Sequence, residues 1–351
     1  MTATLSRAGP VRRAWLPVLR KLGTSLAVIS TTLLGLLVIT FVVGRMVPAD
    51  PVLAIVGDQA DQAAYDRVYE ELGLDQPLPV QFARYLGDVL RLDFGVSHIT
   101  KNPVALDLAR VFPATLELAT AALIIGTLLG VPLGVLAAVH RGRWIDHIAR
   151  VVGLLGYSTP VFWFGMMAIL IFYARLDWVP AGGRVELYYE GIVEGPTGFL
   201  VLDAILAGEW EVMRSALMHM LMPALILGYA TTAYISRMSR SFMLEQLHQE
   251  YILTAQAKGA SRHAVIWKHA FGNMRVQLLT VIALAYCGLL DGTVLVETVF
   301  GWPGLGQYLT TALFFADMNA VLGAVLLIGL ISIGVNLLCD IVYRMLDPRT
   351  R

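Results

Sequence analysis

The side chains most able to do chemistry in this sequence are a few acids set among apolar residues. Asp291 lies in the run Cys287-Gly288-Leu289-Leu290-Asp291-Gly292-Thr293, Glu297 follows it, and Glu117 and Asp340 stand near the ends of other apolar runs. An ionised carboxylate in hydrocarbon costs about 2.5–3.5 kcal/mol on insertion scales, so such an acid is usually paired, hydrated by a cavity, or functional. For Asp291 a water-lined pathway is the first expectation, a buried ion pair the second and a proton relay the third. Thr293 and Glu297 share its stretch and join it as candidate pathway residues. Glu117 and Asp340 fall within about a turn of expected helix ends, where a hydrated interfacial acid is the plain expectation.

Other chemistry is excluded by residue type and spacing. His263 and His269 have no Cys, Asp or Glu near enough in sequence to complete a zinc set, so no metal site is expected. No GxSxG offers a nucleophile, and no GxxxxGK[ST] offers a nucleotide-hydrolysing loop, so ATP could act on this chain only through another polypeptide. Cys287 and Cys339 both lie in apolar runs and read as small core residues. Twenty-six basic residues balance 26 acidic ones, which removes the basic excess of a nucleic-acid binder.

Composition says what holds these residues in place. At 57% hydrophobic and 15% charged over 351 residues, the chain is too apolar for a water-soluble domain, where about a quarter of residues are charged. About 20 apolar residues span a bilayer as a helix. Four uncharged runs meet that length: Leu22 to Gly44, Leu118 to Val139, Val151 to Ala174 and Ser215 to Ser236. Two more, Val276 to Val296 and Met318 to Cys339, contain or adjoin an acid. The expectation is an all-α polytopic membrane protein of six transmembrane helices. It has a tail over 1–21, a first helix over 22–45, an external segment over 46–113, and a core over 114–351. The core helices are expected near 114–139, 151–174, 215–236, 276–298 and 318–341. The glycines of Gly126 to Gly134 are expected to let helices approach closely.

Basic residues set the orientation, because cytoplasmic loops retain them. Arg7, Arg12, Arg13, Arg20 and Lys21 precede the first span without an acid, and Arg141, Arg143 and Arg150 outnumber Asp146 after the second. Residues 237–275 carry six basic residues against Glu245 and Glu250. Both termini are therefore expected in the cytoplasm, in a multi-pass inner-membrane protein. Within the 237–275 loop, Ser239 to Lys258 reads as one helix, Gly259 as a left-handed stop and Ser261 as the cap of a second helix. Tyr251, Thr254, Ala255 and Lys258 recur at helical spacing, giving a face with small residues at its centre that suits a groove on a partner. Outside, Val80 to Leu90 has amphipathic spacing suited to the membrane surface or a protein partner, and the irregular 175–214 segment is a second docking candidate.

The stretch Tyr251-Ile252-Leu253-Thr254-Ala255-Gln256-Ala257-Lys258-Gly259-Ala260-Ser261 resembles the EAA loop of binding-protein-dependent ABC importers, in the version of dipeptide, oligopeptide and nickel permeases. Phe41 to Pro51, Leu72 to Leu78, Leu92 to Ser97 and Pro160 to Gly165 are similar to further motifs of that family. So are Glu297-Thr298-Val299-Phe300-Gly301-Trp302-Pro303-Gly304-Leu305-Gly306 and the closing Leu346-Asp347-Pro348-Arg349. The resemblance runs from about residue 20 to the end. It departs at Leu253 and Thr254, at Gln277, at Met318-Asn319, and at Asp291, where the family usually has a small uncharged residue.

The resemblance implies the type I ABC importer permease fold and a transport subunit that is not itself an enzyme. This chain would bind no cofactor, and ATP and Mg would sit on one or two partner ATPase subunits. A homologous second permease subunit, an extracytoplasmic binding protein and membrane lipid would complete the surroundings. Tyr251, Thr254, Ala255, Ala257, Lys258, Gly259 and Ser261 would couple to the ATPase, and Trp302, Pro303, Gly304 and Gly306 would stand near the pathway exit. Di- or oligopeptides are the expected cargo, with nickel chelates, opines or oligosaccharides as alternatives in the same class. A self-contained ion-coupled transporter using Asp291 and Glu297 is the rival of another class. It predicts inverted repeats, of which the sequence shows none, and leaves the 237–275 loop without a task.

Overall fold

The computed structural model describes residues 29–42, 51–57, 61–71, 73–193 and 195–346. The tail over 1–21, both ends of the first apolar run, the motif from Gly44 to Asp50, the side chains of Cys339 and Asp340, and the closing Asp347-Pro348-Arg349 lie outside the described residues. The chain divides into two compact units, Met1–Asp93 and Phe94–Arg351.

The first unit holds α1 (Ile29–Val42), α2 (Pro51–Val56), α3 (Gln62–Glu71) and α4 (Leu78–Leu90). The amphipathic spacing of 80–90 becomes α4. Its Phe82 and Tyr85 meet the ring of Phe41 on α1 at centroid distances of 5.3 and 5.8 Å, and the Tyr85 hydroxyl stands 3.2 Å from Thr40 Oγ1. Burial of that phenol raises its pKa above the ordinary tyrosine value.

The second unit is a helical bundle. It runs through α5 (Val104–Val139), α6 (Trp144–Ser158), α7 (Val161–Ala168), α8 (Leu200–Ala207), α9 (Trp210–Leu247), α10 (Glu250–Ala257), α11 (Phe271–Phe300), α12 (Leu305–Phe314) and α13 (Met318–Leu346). A π turn at Ile169–Tyr173 extends α7, and another at Ala264–Ala270 runs directly into α11. Four helical stretches are long and apolar enough to cross a bilayer: Val104–Val139, Trp210–Leu247, Ala264–Phe300 and Met318–Leu338.

The stretch expected as a span over 151–174 is bent. α6 and the α7 extension meet at 96° instead of forming one straight helix. Pro160 explains the break: its ring disfavours helical backbone at the preceding residue, and Thr159 accordingly sits at φ −93°, ψ 129°. Six straight spans are therefore not found among the described residues. Four long apolar helices, one bent pair and the shorter apolar α1 stand in their place. α5 also begins ahead of the boundary expected at 114, because Val104 and Leu108 are buried with Leu305, Ala320 and Ala324.

Glycine lets α5 and α9 approach closely. A Cβ on Gly126 would lie 2.5 Å from Thr231 Cγ2, and one on Gly134 would lie 2.4 Å from the Ser236 carbonyl oxygen. Gly228 of α9 returns the contact against Ile125. The threonines in this seam donate within their own helix, Thr231 to Leu227 O at 2.8 Å and Thr232 to Gly228 O at 2.7 Å. Gly288 on α11 provides the contrast, since a methyl group placed there would meet nothing within 4 Å. Overpacking of the kind expected at Gly134 costs about 1–3 kcal/mol. Gly134→Val should therefore lower the melting temperature of the purified chain by several degrees while Gly288→Ala leaves it nearly unchanged. Equal shifts in the two variants would contradict the packing account.

Candidate functional site

At one end of the bundle the chain between α9 and α11 makes a hairpin. The single helix expected over Ser239 to Lys258 is corrected here: α9 stops at Leu247, Gln249 is extended at φ −77°, ψ 148°, and α10 starts afresh at Glu250. The break turns Ile252 inward. It is 1% exposed and belongs to one apolar cluster with Val135, Ile235, Met243 and Met274. Tyr251 crosses the break, its hydroxyl donating to Gln246 Oε1 at 2.8 Å. Gly259 takes the left-handed conformation at φ 80°, and Ser261 Oγ accepts from the Ala264 amide at 3.3 Å. Glycine adopts that backbone without the steric penalty a branched residue would meet.

The outward face of the hairpin differs from the expected set. Thr254, Ala257, Lys258, Gly259 and Ser261 are exposed, while Tyr251 and Ala255 are half-buried. Leu253 is 65% exposed, an apolar side chain at the tip. Sequence spacing misses it because Leu253 looks like a core residue beside Ile252, and only the break at Gln249 decides which of the two faces in.

At the opposite end of α11, Glu297 is fully buried. Its Oε2 accepts the amides of Gly306 at 2.7 Å and Gln307 at 3.2 Å, at the N-terminus of α12, where backbone donors and the helix dipole favour negative charge. A Cβ on Gly304 would lie 2.5 Å from the Glu297 carboxyl carbon, so this turn closes only around a glycine. Trp302 is 1% exposed and donates through Nε1 to Ala114 O at 2.9 Å, and the Leu305 amide donates to Thr115 Oγ1 at 2.7 Å. Thr293 is buried too and donates to Leu290 O, whereas Asp291 is exposed on α11, as is Leu295 one turn on. The structure does not bring Asp291 together with Thr293 and Glu297.

Glu117 corrects another expectation. It is a buried ion-pair acid, not a hydrated interfacial one. Arg184 donates to its Oε2 from Nε at 3.1 Å and from Nη2 at 2.5 Å, and the Val201 amide donates to Oε1 at 2.8 Å. The same guanidinium donates to Gly198 O at 2.7 Å and lies 5.9 Å over the Trp302 ring. Asp317, which stands just before the Met318-Asn319 departure from the family's pattern, is fully buried at the start of α13. Its Oδ2 accepts from Ser97 Oγ at 2.6 Å and from the His98 amide at 2.7 Å, and its Oδ1 accepts from the Ala320 amide at 3.2 Å. Burial, with Asp107 beside it, pushes the Tyr308 phenol up.

A helical bundle with a hairpin presented at one end and a pinned Trp-Pro-Gly turn at the other matches one family model over residues 130–351, described as binding-protein-dependent transport system inner membrane component. The N-terminal model of the same family matches residues 18–119. The chain belongs to this family. It is the permease of an ABC importer and a multi-pass inner-membrane protein. It is 42% identical over 315 residues to the probable D,D-dipeptide transport system permease DdpB of Escherichia coli K12, covering 90% of this chain and 92% of that one. It is 40% identical to the dipeptide transport system permease DppB of the same strain, covering 95% and 98% of the two chains. The di/tripeptide permease DppB of Pseudomonas aeruginosa UCBPP-PA14 is 38% identical, with 93% and 97% covered. A chain of the MetNI methionine ABC transporter, crystallised facing inward, shares the fold at a TM-score of 0.51 and 16% identity, covering 69% of this permease and 97% of that chain.

Removing one partner of a buried ion pair leaves the other charge uncompensated, at a cost of about 3–5 kcal/mol, whereas replacing both by apolar groups costs much less. Glu117→Leu and Arg184→Met should each destabilise the permease strongly to chemical denaturation in detergent. The double variant should be more stable than either single one. Additive losses would show that the two side chains act independently.

Proposed function

We propose that this permease carries di- or oligopeptides and is driven by a partner ATPase gripping the α10 hairpin. The cargo reading rests on the peptide permeases named above, to which the chain is similar over nine-tenths or more of its length. The coupling reading rests on one observation, the seating of Ile252 in the α5–α9–α11 cluster while Leu253 projects beside it. A buried anchor makes α10 move with the bundle, and an exposed apolar knob gives a partner something to hold. Hydrolysis belongs to that partner, since this chain has no nucleotide loop. A homologous second permease subunit and an external binding protein complete the proposed assembly.

ATP shifts the permease between two states only if the partner binds them with different affinity. α10, anchored to the bundle through Ile252, supplies that difference if its face moves with the bundle, so that the partner meets it in different positions in the two states. An ion-coupled mechanism through Asp291 and Glu297 finds no support in their placement, with one acid exposed and the other holding the α12 amides.

The test uses a strain lacking this chain. Wild-type permease should restore uptake of a labelled dipeptide, and Leu253→Asp, at equal membrane abundance, should restore less than about a tenth of it. Uptake of nickel but not dipeptide would sink the cargo reading, and full activity of Leu253→Asp would sink the coupling reading.

A further inference from the structure

The end of the bundle remote from the hairpin carries a cleft of about 500 Å³ between the turn after α7 and the first turns of α9. The segment is irregular in backbone as well as sequence: a π turn ends at Tyr173, and Asp177 takes a left-handed φ of 52°. Non-glycine residues held there carry strain that the surroundings must sustain. Neither the pinned Trp302 turn nor the hairpin uses this cleft.

Its chemistry is one-sided. Asp177, Glu186 and Glu211 line it against one cation, Arg214, which has no acid within 4 Å among the described residues. Trp178 adds an aromatic wall. His219 is 7% exposed and lines the cleft as well. Its Nδ1 lies 2.8 Å from Ser215 O, and a carbonyl only accepts, so Nδ1 carries the hydrogen. Nε2, an acceptor whenever the ring is neutral, has no hydrogen-bond partner among the described residues. Carboxylates, an imidazole lone pair and a π face together satisfy a ligand that has only N–H donors and a positive charge.

We infer that this cleft binds a primary ammonium group, and, resting on the peptide-importer reading, that it receives the free α-amino end of the cargo before it enters the membrane. Glu211 has one oxygen engaged by the Tyr189 hydroxyl at 3.1 Å, which leaves the other for the ligand. Glu186 is held by its own backbone, whose amide donates to Ser215 Oγ at 3.1 Å. Arg214 limits the net negative charge, so binding is expected to be weak and rapidly reversible, as a site of passage requires.

Saturation-transfer NMR on the full chain in nanodiscs, without binding protein, tests this with alanyl-alanine and N-acetyl-alanyl-alanine. The free amine should bind at least about tenfold more tightly, and Glu211→Gln, Asp177→Asn and Trp178→Leu should each weaken it about fivefold without lowering the melting temperature. Equal binding of the two probes, no binding of either, or indifference to all three variants would overturn the inference. So would loss of binding-protein association in Glu211→Gln with alanyl-alanine binding intact, which would make the cleft a protein-docking surface. Dipeptide uptake by cells that persists while the nanodisc site fails would reject the cleft and leave the importer reading standing.

Discussion

The close contact of α5 with α9 is the constraint on which the rest of the bundle depends. Membrane helices gain nothing from hiding apolar surface from lipid, so they associate through packing, and packing at backbone distance demands glycine. Gly126, Gly130 and Gly134 provide a seam against Thr231, Ile235 and Ser236. That seam joins the two ends of the molecule. Glu117, in the N-terminal half of α5, anchors Arg184, while Val135 near its C-terminal end packs with Ile252 of the hairpin. The hairpin and the ion pair are thus both attached to α5, the helix that packs most closely on α9.

Where the bundle can change shape is set by its breaks. α6 and α7 meet at Thr159-Pro160, and π turns interrupt the helices at Ile169–Tyr173 and Ala264–Ala270. Such irregularities leave local hydrogen bonding adjustable, and π turns recur at functional positions. One of them lies between α10 and α11. The other borders the cleft that Asp177 and Glu211 line.

Much of this is legible in the sequence, for reasons that can be traced. The apolar runs show the spans because the bilayer imposes a length, and Gly259 with Ser261 shows the hairpin turn because few residues suit a left-handed stop followed by a cap. The glycine seam is legible as small residues at helical spacing. The break at Gln249 is not, since Ser239 to Lys258 contains only residues that helices accept, and it is the burial of Ile252 that favours the kink. Glu117 is deceptive for a similar reason. Its partner Arg184 is 67 positions away, and no local pattern announces a pairing of that range. The role of Asp317 is hidden because its partners, Ser97 at the end of a family motif and the His98 amide, lie 220 and 219 positions away, beyond the reach of any local pattern. Pro160 is visible, but its consequence, a 96° turn in place of a straight span, depends on packing that a proline alone does not specify.

The central claim is that this chain provides a pathway moved by an engine on another polypeptide. Its most direct test is accumulation of a labelled dipeptide in sealed vesicles, reconstituted either with this permease alone or with its second subunit, ATPase and binding protein. The account predicts concentration against a gradient only in the complete set and only with ATP on the ATPase side. Accumulation by the permease alone, driven by an ion gradient, would contradict it.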